Sequence, residues 1–470
     1  MLLGGIFLAV WYTAAYLAHP ALPGNNPTYP AGWWGWWDQS NYLKSALALA
    51  RRNFSPDQHL YPLGYAITGA PFVRLWPMHP FYFVDLASLL ISLAGFVSVA
   101  RRCNVAPRWS VLLFVLAAAA DPVLFEQWVV PWTTTPAAAV VWLLLAVAAA
   151  HMEGRRHPVL LGLLAVCLPI LRPTDVLLAV PPLAACLLVD LRTRRLALRD
   201  VLGFAVAVLL MAGLYAGLHL KIYGLAPSYY MTMSANTGFS LHHFGWKAYL
   251  ILVDPTAWIG GGEGLLRRAP WMILGVAGIV PALRRPIPAM LAVTLAIHSL
   301  FYLSYVDLLP TGFWRYMNVH YWVWSFPGFA LLALLLVRDV LQRGRRLLAV
   351  ASCACVITLL CIHLDPTPAA QGEAADALDF RVDSPSFEAA YFGDLKITDA
   401  EGILSNVQNI RSIPLPGTIR VLTLTRALHG DITADGEGLN DLTPTRLRVT
   451  PRFGIPFWPW RKPDAAFGPR

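Results

Sequence analysis

The side chains best suited to chemistry in this chain sit in short polar stretches between long apolar runs. Asp38 follows Trp33-Trp34-Gly35-Trp36-Trp37 and leads into Gln39-Ser40-Asn41-Tyr42-Leu43. A carboxylate within hydrogen-bond reach of an attacking hydroxyl can take its proton. The same residue type suits the N-cap of a helix starting near Gln39; the two roles are compatible, and both stay open. Asp57 lies in Ser55-Pro56-Asp57, which reads as a turn. Asp85 sits just inside an apolar run, where an ionisable group is a functional lead or an interfacial hydrogen-bond partner. Asp121 and Glu126 follow further along. Arg172 and Arg315 offer planar guanidinium forks that match phosphate oxygens; snorkelling to lipid headgroups is the plainer role. Arg267-Arg268 follow Gly260-Gly261-Gly262-Glu263-Gly264. A glycine-rich turn opening a helix can hold an anion on free backbone N–H groups; a flexible connection with interfacial arginines is the alternative. With no Gly-Lys-Ser/Thr after it, this is not a Walker A loop. His59, His79 and His242-His243 show no metal-ligand spacing, and polar loop histidines or substrate contacts are their two readings.

The elements that must position these groups are membrane spans. The 470 residues are 57% hydrophobic and only 13% charged, against about 45–50% and about 25% in a typical soluble domain. That balance excludes most soluble enzymes. Runs long and apolar enough to cross a bilayer fall near 1–18, 80–100, 109–126, 132–151, 158–171, 175–190, 200–220, 268–283, 287–305, 320–338 and 347–364. This predicts an all-α polytopic membrane protein of about eleven spans. Basic residues accumulate on the cytoplasmic side. With the N-terminus inside, the inner loops hold 15 arginines, among them Arg101, Arg155, Arg194, Arg284 and Arg345, while the short outer loops hold Arg172 and Arg315. The long loops 19–79 and 221–267 then lie outside, with the C-terminus. Residues 1–364 form the membrane domain in this reading. Residues 365–470 carry 14 acidic and 11 basic side chains and form a small extracytoplasmic α+β or β-rich region, with strands expected at 418–425 and 445–450. The net charge of +9 thus orients the chain, and a nucleic-acid partner is not needed to explain it. The six cysteines suggest neither a disulfide nor a zinc site. The Ala, Leu and Arg bias suits a GC-rich bacterial genome, so the membrane expected is a bacterial inner membrane.

The first outer loop is the most informative. From Trp37 to Arg52, Leu43, Ala46, Leu47 and Ala50 share one helical face, which predicts an amphipathic helix on the membrane surface. Leu60-Tyr61-Pro62-Leu63-Gly64-Tyr65 breaks that pattern, and a second short interfacial helix is expected toward Trp76. This order resembles the GT-C superfamily of integral membrane glycosyltransferases: an acid after the first span, an Asx-x-Tyr-Leu helix, then Tyr-Pro-x-Gly-Tyr. That superfamily includes the protein O-mannosyltransferase and aminoarabinose transferase families. Leu171-Arg172-Pro173-Thr174 resembles the Arg-Pro pair of an outer hairpin, and Phe313-Trp314-Arg315-Tyr316 resembles a late Arg-Tyr motif. The likeness covers about residues 1–340. One departure is that many relatives carry a second acid where this chain has Trp132-Thr133-Thr134-Thr135-Pro136.

The resemblance implies a glycosyltransferase that takes a sugar from a polyprenyl-phosphate donor at the extracytoplasmic face. The acceptor class (glycan, lipid or protein) is open. Asp38 would be the base, with Asp57, Asp85, Asp121 and Glu126 as alternative acids. Arg172, Arg315, Tyr316, Tyr61, Arg267, Arg268 and His59 would contact substrate. The leaving group is already a stable phosphate, so a divalent metal is possible but not implied, and no other cofactor is. Two rival readings are a lipid-glycan flippase or transporter, which tends to show internal repeats, and a non-catalytic glycan-assembly partner with transferase-like architecture.

Overall fold

In the computed structural model, the described residues are 1–18, 37–232, 265–305, 319–346, 350–354 and strand segments within 375–449, with a few single positions besides. The chain divides into two units. The first comprises Met1–Thr232, Trp271–Ser299 and Val319–Ser352; the second comprises Met233–Pro270, Leu300–Asn318 and Cys353–Arg470.

The first unit is helical. Its opening helices are α1 (Leu2–Ala18), α2 (Trp37–Ala50), α3 (Leu63–Gly69), α4 (Phe81–Arg102), α5 (Pro107–Ala119) and α6 (Pro122–Val129). α7 (Thr134–Met152), α8 (Pro158–Leu171), α9 (Val176–Arg192) and α10 (Leu198–Tyr223) follow. Six helices among the described residues are long and apolar enough to cross a membrane: Phe81–Arg102, Thr134–Met152, Pro173–Arg192, Leu198–Tyr223, Pro286–Ser304 and Ser325–Gln342. α1, α5 and α8 are shorter apolar helices. Several helices open on proline, at Pro107 and Pro158 for example, where a missing N–H costs nothing.

Two expected spans take another form. The run at 109–126 is broken, because Asp121-Pro122 starts a new helix and the Asp121 carboxylate accepts the Leu124 N–H at 3.1 Å. Proline cannot continue the preceding helix, and aspartate is a natural cap. The run at 268–283 is a series of short pieces, α11 (Leu265–Arg268), α12 (Trp271–Ala277) and α13 (Ile279–Ala282), of which α11 belongs to the second unit. Most of the run at 347–364 lies outside the described residues.

The core of the first unit packs α4 on α7. A Cβ on Gly95 would lie 2.8 Å from the backbone of Trp142, so this crossing needs glycine. α14 (Pro286–Ser304) and α15 (Ser325–Gln342) complete the set, and Trp142 Nε1 donates to the Trp324 carbonyl at 3.1 Å. α10 is apolar and largely exposed on the protein surface, as a lipid-facing helix should be.

The segment after α1 differs from the surface-lying helix expected there. α2 buries Gln39, Ser40, Tyr42, Leu43, Ser45, Ala46 and Ala48, more than one stripe. It packs on α3 and on the 3-10 turn at Ala70–Arg74 and so is an internal element of this unit.

In the second unit, the tail contributes β1 (Ala375–Val382), β2 (Lys396–Asp399), β3 (Gly402–Leu404), β4 (Val407–Arg411), β5 (Gly417–Thr423), β6 (Thr433–Asp435) and β7 (Thr445–Val449). They form a four-stranded sheet in the order β4-β5-β1-β7 and a three-stranded sheet in the order β3-β2-β6. All the paired strands run antiparallel, with Phe380 opposite Ile419 and Leu378 opposite Arg446.

Candidate active site

Asp38 lies in the first turn of α2. Because that helix begins at Trp37, the residue sits inside the first turn, two positions past where a cap would be. The positive end of a helix still favours its charge. Its carboxylate Oδ1 accepts the hydroxyl of Tyr61, from the segment that leads into α3. Tyr42, one helical turn beyond Asp38, packs on Tyr61 with ring centroids 5.0 Å apart, and Tyr230 packs on Tyr61 at 5.4 Å.

This group is brought against Arg172 by a close approach of two backbones. A Cβ on Gly64 would meet the Ile170 carbonyl oxygen at 2.5 Å and the Leu171 nitrogen at 2.9 Å. Only glycine lets α3 dock on the end of α8, immediately before Arg172. Gln39 Nε2 adds a tie from α2 to the Pro131 carbonyl at 3.3 Å.

Arg172 is held from three directions. Its Nη1 donates to the Thr133 hydroxyl oxygen at 3.0 Å. Its Nε lies 3.3 Å from Asp175 Oδ2. Its guanidinium lies over the Tyr321 ring, 4.8 Å from the centroid, at cation–π range. Tyr42 lies near enough to Thr133 and to the Arg172 charge to be affected by both, so α2 and Arg172 share one polar neighbourhood. Next to it, His320 stacks on Trp132 at 4.3 Å with planes 7° apart.

The electrostatics follow from this packing. Burial raises the Asp38 carboxyl above its ordinary value; the Tyr61 hydrogen bond and the nearby Arg172 charge offset part of that rise. Burial, then the Asp38 charge, raises the Tyr61 phenol, so it stays a donor. Burial and the Arg172 charge hold His320 well below its usual value and therefore neutral. The result is a carboxyl group within range of the Arg172 charge, beside tyrosines that keep their protons.

The other expected site residues are placed as follows. Asp85 is fully buried in α4, and its Oδ2 accepts the Tyr65 hydroxyl at 2.7 Å. Tyr65 packs edge-on against Tyr42 at 5.2 Å, which sets Asp85 behind the Asp38 cluster. Asp57 is exposed in a 3-10 turn at Pro56–Gln58, beside Gln58. Asp121 caps α6, and Glu126 is half-buried on that helix.

His59 is buried with both ring nitrogens engaged. Nε2 faces the Asn53 carbonyl at 3.0 Å, and a carbonyl can only accept, so Nε2 carries the proton. Nδ1 then accepts from Ser45 Oγ at 2.8 Å. Both ring nitrogens thus serve to shape the ring's own loop. Arg268 is half-buried in α11, in the second unit. The side chain of Arg267, the glycine run 260–264, and Arg315 with Tyr316 lie outside the described residues. Among the described residues, no group of three His, Cys, Asp or Glu side chains converges as a metal site.

The sequence reading missed Asp175, Thr133 and the pair His320-Tyr321. Asp175 had a signal of its own, an acid at the head of an apolar run three residues after Arg172. Thr133 stands in the segment where the resemblance led us to look for an acid.

No protein-family model matches this chain, and no curated protein matches it. It is similar to the crystal structure of the Archaeoglobus fulgidus oligosaccharyltransferase in the apo form, at 13% identity and a TM-score of 0.40. The match covers 76% of this chain and 54% of that one, so this chain spans about half the length of that protein. The functional reading therefore rests on the chain's own residues.

Proposed function

We propose that this multi-pass protein is a GT-C-like glycosyltransferase acting at the extracytoplasmic face of a bacterial inner membrane. It moves a sugar from a polyprenyl-phosphate donor to an acceptor hydroxyl. The observation that carries the reading is that Asp38, held by Tyr61, lies near enough to Arg172, held by Thr133, for the arginine charge to act on the carboxylate.

In this mechanism the acceptor hydroxyl approaches Asp38 Oδ2, the oxygen that Tyr61 does not use. As the acceptor oxygen attacks the anomeric carbon, its proton passes to Asp38. The bond from the anomeric carbon to the phosphate oxygen breaks, and negative charge gathers on the lipid phosphate. Arg172 is the cation placed to stabilise that charge. Its fork is pre-oriented by Thr133 and Asp175, so little reorganisation is needed as the charge develops. Asp175 is a positioning residue here, and Tyr61 holds the base. Arg315 and Tyr316 are further candidates for the donor side.

Incubating the purified protein with radiolabelled polyprenyl-phosphate sugars tests the reading. Sugar release or transfer that depends on Asp38 is the expected result. Intact donor under all conditions, with the lipid instead moved across the bilayer of proteoliposomes, would favour the flippase.

A further inference from the structure

The opposite end of the first unit holds a basic cleft with no role in the chemistry above. The ends of α4, α7, α9, α14 and α15 meet there, about 28 Å along α7 from Thr133 at 1.5 Å per residue. A cavity of about 230 Å³ is lined by Arg102, Asn104, Glu153, Val189 and Arg285. A second, of about 90 Å³, shares Arg285 and Pro288 and adds Arg284 and Arg343.

The charges in this cleft are unequally spent. Arg102 donates to Glu153 at 2.9 Å, and Arg343 pairs with Asp339 at 2.8 Å. Arg338 donates to the carbonyls of Asn104 and Cys103 at 2.9 and 3.1 Å, which fixes the wall of the larger cavity. Among the described residues, Arg284 and Arg285 make no side-chain hydrogen bond or ion pair. The N-terminal end of α14 opens at the same place with Pro286-Ile287-Pro288, adding the positive end of a helix dipole. Leu283, between the lining residues Ala282 and Arg284, is exposed beside the cleft. Cationic walls at the ends of helices long and apolar enough to cross a membrane match a headgroup that carries its own acyl chains.

We infer that this cleft binds the phosphodiester headgroup of an anionic lipid, with Arg285 as the principal contact and the acyl chains running alongside the apolar helices whose ends form the cleft.

The test uses the full-length purified protein in detergent, titrated with phosphatidylglycerol, phosphatidylcholine or inorganic phosphate. Thermal unfolding and native mass spectrometry report binding. Phosphatidylglycerol should bind and raise the melting temperature, while the other two should do neither. Arg285→Gln should weaken phosphatidylglycerol binding about tenfold or more, the loss expected for one charge-assisted contact. Arg285→Lys should recover part of it, and Arg108→Gln, outside the cleft, should bind like wild type. A response to phosphate alone, an equal response to phosphatidylcholine, or undiminished binding in folded Arg285→Gln would overturn the assignment.

Discussion

Replacing Tyr61 by phenylalanine isolates the control of the base from its presence. The ring stays, with its contacts to Tyr42 and Tyr230, and only the hydroxyl donated to Asp38 is lost. That hydrogen bond favours the ionised carboxylate, while burial opposes it. Removing it leaves burial less opposed, so the Asp38 pKa rises further. A hydrogen bond to a charged group contributes about 1.5–3 kcal/mol, equivalent to a roughly ten- to hundredfold change in the ionised fraction. The sign is fixed: the base works when ionised, so turnover climbs as pH rises through a pKa already above the ordinary carboxylate value. On the acid side of that limb, Tyr61→Phe should lose roughly ten- to hundredfold in rate. Above the limb it should regain wild-type turnover. Protonated Asp38 favours the folded state at low pH, and that contribution is lost as pH rises through the folded-state pKa. The assay is turnover of a polyprenyl-phosphate sugar against pH for both proteins. An unmoved acid limb, or a loss of the same size at every pH, would refute the claim that Tyr61 acts through Asp38.

Three further outcomes follow. Arg172→Ala should weaken donor binding about tenfold or more, and Arg172→Lys less, since a point charge restores attraction but not the fork that meets Thr133 and Asp175; equal donor affinity in all three proteins would reduce Arg172 to a headgroup contact. Gly64→Ala should cost about 1–3 kcal/mol of stability, as overpacking does, and should cut turnover by moving Tyr61 away from Arg172; a wild-type melting temperature would contradict the close approach. Reporter fusions at Arg194 and Arg420 should read cytoplasmic and periplasmic respectively; the reverse at either would place the candidate site on the wrong face.

The local parts of the site were legible in the sequence, and its assembly was not. Asp38, Tyr61 and Arg172 stand out because each is a polar residue in a short motif beside an apolar run. Gly64 was visible as part of a Tyr-Pro-x-Gly-Tyr string, but its reason is the Ile170 carbonyl, a neighbour more than one hundred positions away. The stack of His320 on Trp132 and the placement of Tyr321 under Arg172 join distant segments, and periodicity carries no information about such pairs. The long spans at 80–100, 132–151 and 200–220 were readable from hydropathy alone, whereas the break at Asp121-Pro122 needed the capping chemistry to outweigh it. α2 was expected on the membrane surface because its apolar spacing is amphipathic. Its polar Gln39 and Ser45 are buried through tertiary hydrogen bonds to Pro131 and His59, which no single-helix pattern reports.

The central claim is that Asp38 accepts the proton of the attacking hydroxyl. Asp38→Asn tests it most directly, because it keeps size and shape and leaves an oxygen to accept from Tyr61 while removing the basicity. General-base contributions are typically about 10²–10⁴-fold. Turnover of a labelled polyprenyl-phosphate sugar should therefore fall about 100-fold or more, with melting temperature and donor binding close to wild type. Near-normal turnover in the folded variant would contradict the account, remove Asp38 from the mechanism, and move the search for the base to Asp85, Asp57, Asp121 and Glu126.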